Sequence, residues 1–221
     1  MTPLPEHVLL RPLGPADLDK VVKLEAKTTP ARECAGLDRI RYWLQVAPEL
    51  SAGMFVRIPP RQAKSCRKVS TSSSQRRGKC CDVVACPRSR EKLIAFIIGS
   101  KFVGEEISDG ALSVPICGNN EKSTKLHEKI GHLEYGDKVV IQTFAVDPDY
   151  QGMKLGTTIF RDYIQRLSTQ AVAQQIAMLA HSYMVPFYES LGFYDSGCTQ
   201  MTIGGANDWH NIWISLDNDD D

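Results

Sequence analysis

The densest chemical signal in this 221-residue chain is VIQTFAVDPDYQGMKLGT, from Val140 to Thr157. A strand-like run gives way at Asp147-Pro148-Asp149-Tyr150 to a turn, and Gln151-Gly152-Met153-Lys154-Leu155-Gly156-Thr157 then opens a helix. The first N–H groups of a helix have no carbonyl within the helix to bond, and the helix dipole favours negative charge there. Gly152 and Gly156 allow close backbone approach, and Lys154 adds a cation, so the run suits a phosphate or pyrophosphate. It is not a P-loop, because no G-K-[ST] ends it, and it is not a G-x-G-x-x-G fingerprint. An ordinary strand-to-helix turn has the same outline.

Several elements must position that loop. His7 to Leu13 reads as a first strand. A helix follows from Pro15-Ala16 or Asp17, with Leu18, Val21, Val22 and Leu24 as its apolar stripe. Leu37 to Leu50 reads as a second amphipathic helix, with Ile40, Trp43 and Leu44 on one face and Pro48 as its stop. Ala52 to Ile58 and Lys92 to Phe102 read as strands, the latter apolar throughout like a central strand. After a polar stretch from Gly110 to Asp137, with a short helix near Lys125 to His132, the strand KVVIQTFAV begins. Leu155 to Gln170 is a helix with Ile159, Phe160, Tyr163, Ile164 and Leu167 inward. Gln175 to His181 is a strand, Met184 to Phe193 a short helix turning into a strand, and Asn207 to Leu216 a last strand. The order β-α-α-β-β-β-α-β-α-β-β predicts an α/β mixed sheet with helices on both faces.

Composition bounds the rest. With 43% apolar residues the chain can bury a core. Lys+Arg and Asp+Glu are 26 each, so the net charge is zero, yet it is unevenly spread. The segment from Arg57 to Arg90 holds ten basic residues and one acid, Asp82, inside an acidic body. This Ser-, Arg- and Cys-rich stretch, about 57–91, reads as a long disordered hairpin insertion in a single domain spanning 1–221, with an acidic tail at 217–221. A translated intron would produce the same abrupt change of composition. Cys66, Cys80, Cys81 and Cys86 lack paired C-x-x-C spacing and an accompanying His, so no metal site is expected. The basic run is read as solvated rather than as a nucleic-acid contact. Neither a signal-peptide run nor a membrane-length apolar stretch is seen, and seven cysteines at irregular spacing do not form a secreted disulfide framework. The expectation is a soluble, cytoplasmic monomer without membrane or nucleic-acid partners.

The loop resembles motif A of the GNAT acetyltransferases, [RQ]-x-x-G-x-[GA], with Gln151 first, Gly156 last, and Lys154 where the family usually has Gly. VPFYESLGF resembles the family's motif B. APELSAGMF, KLIAFIIGS, FAV and MVPFYESLGF further resemble the arylalkylamine (serotonin) N-acetyltransferases. The resemblance implies a GNAT fold in which acetyl-CoA wedges between two splayed parallel strands, here Val139 to Val146 and Gln175 to His181. Phe144, Ala145 and Val146 would bond the pantetheine arm through their backbone. Gln151, Gly152, Met153, Lys154, Leu155, Gly156 and Thr157 would take the pyrophosphate. An amine would enter from the other side, under the segment around Pro30 and the second helix.

Acetyl transfer to an amine requires a deprotonated nucleophile, donors for the oxyanion, and a proton for the leaving thiolate. The resemblance places Tyr188 beside the sulfur as general acid and against acetyl-CoA; a core aromatic on a short helix is the plainer reading of the same residue. A backbone N–H near Ala145 or Val146 would polarise the thioester. Animal members carry an H-x-H pair where this chain has Val140 and Gln142, so a His-based proton route does not transfer. Gln142 is expected to order water that leads the proton out. His181, at the end of the next strand, is the nearest replacement base, against a strand-capping role. Glu33 and Glu49 are candidates for attracting a cation. The expected activity is acetyl transfer to the primary amine of a small molecule, an arylalkylamine or polyamine. The alternatives are a protein or peptide N-acetyltransferase and a degenerate acetyl-CoA-binding protein.

Overall fold

The computed structural model describes residues 8–58, 90–115 and 130–216. Residues 59–89 with the insertion's four cysteines, most of the helix expected near Lys125, and the acidic tail lie outside those residues; the ends of the expected 57–91 insertion are strand, because Arg57 pairs with Glu91 and Ile58 with Arg90. Among the described residues, seven strands form one sheet in the order β1-β2-β3-β4-β5-β7-β6. They are β1 (Val8–Arg11), β2 (Ser51–Ile58), β3 (Arg90–Phe102), β4 (Lys138–Val146), β5 (Gln175–His181), β6 (Tyr194–Cys198) and β7 (Trp209–Ser215). Every pairing is antiparallel except β4 with β5.

The helices are α1 (Leu18–Thr28), α2 (Gly36–Val46), α3 (Asp109–Leu112), α4 (Leu155–Thr169) and α5 (Val185–Glu189). The second helix is shorter than its apolar pattern suggests. Pro48 denies Ala47 a helical conformation (φ −145°, ψ 56°), and Pro48–Leu50 turns separately. The described end of the expected 125–132 helix is a bend, with Gly131 at φ +79°. Short α3 gave no periodic signal; Ser108 starts it by accepting the Ala111 N–H.

Two large cores lie on opposite faces of the sheet, with a smaller cluster of Phe102, Ile107, Ala111, Val140 and Ala177 beside them. On one, Ile159, Phe160, Tyr163 and Leu167 of α4 pack on Ile94, Val139, Ile141 and Ile176. On the other, Val21 and Leu24 of α1 and Ile40, Trp43 and Leu44 of α2 pack on Phe55, Phe96, Ile98 and Ala145. The stripes of all three helices are those read from the sequence, and the three-layer arrangement follows from burying them against a sheet that is apolar on both sides.

Two irregularities in β4 shape the space beside it. Ile98 pairs with Thr143 and Gly99 with Ile141, so Gln142 is an extra residue in a bulge. The bulge lets Gln142 and Thr143 both address the α1/α2 side, where Gln142 bonds Ala111 and Thr143 bonds Glu25. The pairing of β4 with β5 ends at Ile141 and Met178, although both strands continue. From there they part.

Candidate active site

The gap between the parting strands is a cleft of about 690 Å³. One wall is Ile141 to Val146 of β4, and the other is Met178 to His181 of β5. Gln151, Gly152, Lys154, Leu155, Gly156 and Thr157 line one end; Thr29, Pro30, Glu33, Tyr183 and Trp209 also border it. Of the residues the sequence singled out, the structure gathers Gln142, Phe144, Ala145, Val146, His181, Tyr188 and the whole loop except Met153. Met153 packs partly buried against the α4-side core, and Glu49 is not in the lining.

Backbone alternation assigns the β4 donors. The Asp147 N–H donates to the Ile94 carbonyl on β3 at 2.7 Å. Counting back by twos, Ala145 and Thr143 also address β3, whereas Val146 and Phe144 direct their N–H and C=O groups into the gap. Accordingly, the Val146 carbonyl is free of β3 and accepts from Gln151 Nε2 at 3.2 Å. Ala145, expected with Phe144 and Val146 to present its backbone to the cleft, thus turns its N–H to β3, and of Ala145 and Val146 the latter is left as the donor facing the gap.

The loop reaches α4 through left-handed backbone. Gly152 has φ +77°, and Lys154, the N-cap of α4, has φ 58° and ψ 19°. A non-glycine residue in that region costs about 1–2 kcal/mol, which explains why glycine suits the position in related motifs. No side chain caps this helix end, so the first-turn N–H groups of Leu155, Gly156 and Thr157 are offered to a ligand. Gly156 lies close under two rings. A Cβ there would sit 3.3 Å from Phe187 Cζ and 3.4 Å from Phe144 Cζ.

Asp147 anchors the turn before the loop. Its side chain is 3% exposed and receives Lys27 Nζ at 2.5 Å and Lys92 Nζ at 2.9 Å. It also caps the 148–150 turn by accepting the Asp149 N–H at 3.1 Å. Burial alone would raise its pKa, but these bonds hold it at about 2, well below the usual carboxylate.

Tyr188, on α5, is 5% exposed and packs edge-on against Phe160, Phe187 and Phe193. Burial pushes its phenol well above the usual value, so it keeps its proton across the physiological range. Gln142 Nε2 is fixed by Ser100 Oγ at 2.8 Å and the Ala111 carbonyl at 2.7 Å. Because that carbonyl only accepts, the amide orientation is determined. Gln142 Oε1 is left buried without a protein hydrogen bond.

His181 is clamped. Nδ1 lies 3.0 Å from Asp208 Oδ1 and Nε2 lies 3.1 Å from Glu33 Oε2. The Trp209 ring lies tilted at 3.8 Å between centroids, and Tyr183 stacks at 5.3 Å. Burial lowers the affinity of the ring for a proton, but the two carboxylates outweigh it and the pKa is raised. Two acceptor-only partners require an N–H on both nitrogens, so the ring sits as imidazolium while both carboxylates are ionised.

Glu25 went unnoticed in the sequence. It is 2% exposed, and its carboxylate accepts from the Ala35 N–H at 3.1 Å, the Gly36 N–H at 3.3 Å and Thr143 Oγ1 at 3.1 Å. It ties the 29–36 segment to the bulged part of β4. Its signal was an acid on the buried stripe of α1, in line with Val21 and Thr28. Asp208 and Trp209 gave no local signal, since only the pairing of β7 with β5 brings them to His181.

Solved structures share this architecture. The loading GNATL domain of CurA from Lyngbya majuscula superposes with a TM-score of 0.62 at 11% identity, over 96% of this chain and 98% of that one. NAA60 of Arabidopsis thaliana, in complex with acetyl-CoA, superposes with a TM-score of 0.58 at 13% identity, over 95% and 98%. The fold is therefore the GNAT fold. The family model of the acetyltransferase (GNAT) domain matches residues 89–204, just over half of the chain, and the chain belongs to that family. Serotonin N-acetyltransferase of Macaca mulatta is 24% identical over 171 residues, 77% of this chain and 59% of that protein. The chain thus spans less than two thirds of that relative's length. Among the described residues no helix is long and apolar enough to cross a membrane.

Proposed function

We propose that this chain, acting as a single domain over residues 1–221, transfers the acetyl group of acetyl-CoA to the primary amine of a small molecule. The supporting observation is the parting of β4 from β5 beyond Ile141 and Met178. It yields one cleft in which an uncapped helix start, a protonated phenol and an acidic, aromatic border are all part of the lining. The first-turn amides of α4, with Lys154, hold the pyrophosphate. Phe144 and Val146 bond the pantetheine arm as an added strand would, and one of their N–H groups polarises the thioester carbonyl.

The amine enters past Pro30, Glu33, Tyr183 and Trp209. Glu33 and Asp208, together with the His181 imidazolium, carry a net negative charge that draws an ammonium ion. Its proton leaves by water bonded to Gln142 Oε1, the buried acceptor without a protein partner. The neutral amine attacks the carbonyl carbon and the tetrahedral intermediate collapses. The C–S bond breaks, Tyr188 supplies a proton to the departing thiolate, and the phenolate recovers a proton from the former amine nitrogen, which becomes the neutral amide. In this reading His181 holds the Glu33 loop in place rather than serving as a resting base, because both of its nitrogens are already protonated. A cytoplasmic location is part of the same reading, supported by seven cysteines without framework spacing, and so is a monomer.

A protein N-terminus as acceptor is the second reading, favoured by the net acidity of the described cleft border. A thiol-release assay with acetyl-CoA against tryptamine, tyramine, spermidine and a peptide panel decides. Turnover on the small amines supports the proposal. Turnover on peptides alone transfers it to the second reading, and acetyl-CoA binding without any turnover refutes both.

A further inference from the structure

Away from the cleft, the hairpin of β6 and β7 assembles a cysteine, a histidine and an aspartate. Cys198 Sγ lies 3.3 Å from His210 Nε2. His210 Nδ1 lies 2.8 Å from Asp195 Oδ2 and 3.0 Å from Asp195 Oδ1. A carboxylate only accepts, so Nδ1 carries the proton and the lone pair on Nε2 is turned toward the thiol. The arrangement is that of a nucleophile, a base and a group that orients the base.

The backbone is shaped to produce it. Cys198 pairs directly with His210, whereas Asp195 pairs with Ile212 two residues on, and the register breaks between them. Gly197 turns the bulge at φ +93°, and its N–H fixes Asp195 Oδ1 at 2.8 Å. Trp213 Nε1 donates to Ser196 Oγ at 3.1 Å and holds the bulge from the neighbouring strand. Cys198 is exposed, while the His210 side chain is 18% exposed and so is held in one place. No residue of this cluster lines the cleft. An exposed thiol facing the base and lying outside the cleft suits a small reagent that comes to it from solvent.

We propose that Cys198 is a modification site that undergoes thiol–disulfide exchange with low-molecular-weight disulfides, with His210 as its base and Asp195 as the residue that positions the base. Nε2 takes the Sγ proton, and the sulfur attacks one sulfur of the disulfide. The new S–S bond forms as the old one breaks. The departing thiolate carries away the electron pair and recovers the proton from His210. Cys198 is oxidised to a mixed disulfide, and one sulfur of the reagent is reduced to a thiol.

Cys34 is the internal contrast. It is partly buried, and burial, with Glu25 and Glu33 nearby, pushes its thiol up. The reduced full-length chain is exposed to glutathione disulfide, quenched with acid, and mapped by peptide mass spectrometry, which distinguishes Cys198 from the other cysteines. The Cys198 adduct is expected to form about tenfold or more faster than the Cys34 adduct. His210→Gln is expected to slow it by about tenfold or more, and Asp195→Asn to slow it less. Circular dichroism and a thermal melt check that each variant is folded. If either variant fails to fold, the other and the contrast with Cys34 still decide. A Cys198 rate unchanged in folded His210→Gln, or no faster than that of Cys34, overturns the proposal.

Discussion

Asp147→Asn isolates one charge at the turn that leads into the 151–157 loop. The asparagine keeps an oxygen to cap the Asp149 N–H but cannot carry the charge that meets Lys27 and Lys92. The native carboxyl titrates at about 2, against 3.8 in the absence of structure. At about 1.4 kcal/mol per unit, that difference corresponds to roughly 2.5 kcal/mol. The lysines are 43% and 37% exposed, and solvent screening reduces the figure to about 1–2 kcal/mol. A carboxylate whose folded pKa is depressed stabilises the fold fully above its unfolded value, and that contribution is lost as pH falls toward the folded one. Urea unfolding of wild type and variant at pH 7 and pH 3 measures it. The variant is expected to lose about 1–2 kcal/mol at pH 7, with the difference shrinking to about half at pH 3. A loss equal at both pH values would refute the electrostatic account and leave packing as the cause. A loss below about 0.3 kcal/mol at pH 7 would show the cluster to be a surface pair of no consequence.

Tyr188→Phe is expected to lower kcat by about 10²-fold with little change in acetyl-CoA affinity, measured by steady-state kinetics and titration of the cofactor; unchanged kcat sinks the acid role. Lys154→Gly should relieve the left-handed strain and raise stability by about 1 kcal/mol while weakening acetyl-CoA binding, read by urea unfolding and calorimetry; tighter binding would argue against a phosphate contact. His181 has a raised folded pKa, so its clamp stabilises fully below the unfolded value and is lost as pH rises through the folded one. His181→Gln should therefore destabilise the protein more at pH 6 than at pH 9 and raise KM for the amine, and a pH-independent effect would refute the imidazolium assignment. Gly99→Ala places a Cβ 2.5 Å from Tyr163 Oη, which donates to the Leu50 carbonyl at 2.9 Å. Thermal melts should show a loss of about 1–3 kcal/mol.

Much of the architecture was legible because periodicity is a local property. Leu18, Val21 and Leu24, or Ile159, Tyr163 and Leu167, disclose a buried face within a few turns of chain. The loop from Gln151 to Thr157 was likewise legible, since a turn, glycines and a helix start are contiguous. The short α3 was not, because four residues carry no period. The bulge at Gln142 was hidden as well: one extra residue in a strand looks like any other until its partner is known.

The sequence by itself determined the long helices and strands, the order in which they follow, and the glycine-containing turn that opens a helix at Leu155, because neighbours along the chain set those properties. Only the tertiary structure decided that His181 meets Glu33 and Asp208, 148 and 27 residues away in sequence. The same holds for the buried link between Glu25 and Thr143 across 118 residues, and for Cys198 with His210 across two strands. A proton's affinity for a side chain depends on which charges stand a few ångströms away, and sheet pairing, rather than chain distance, chooses them.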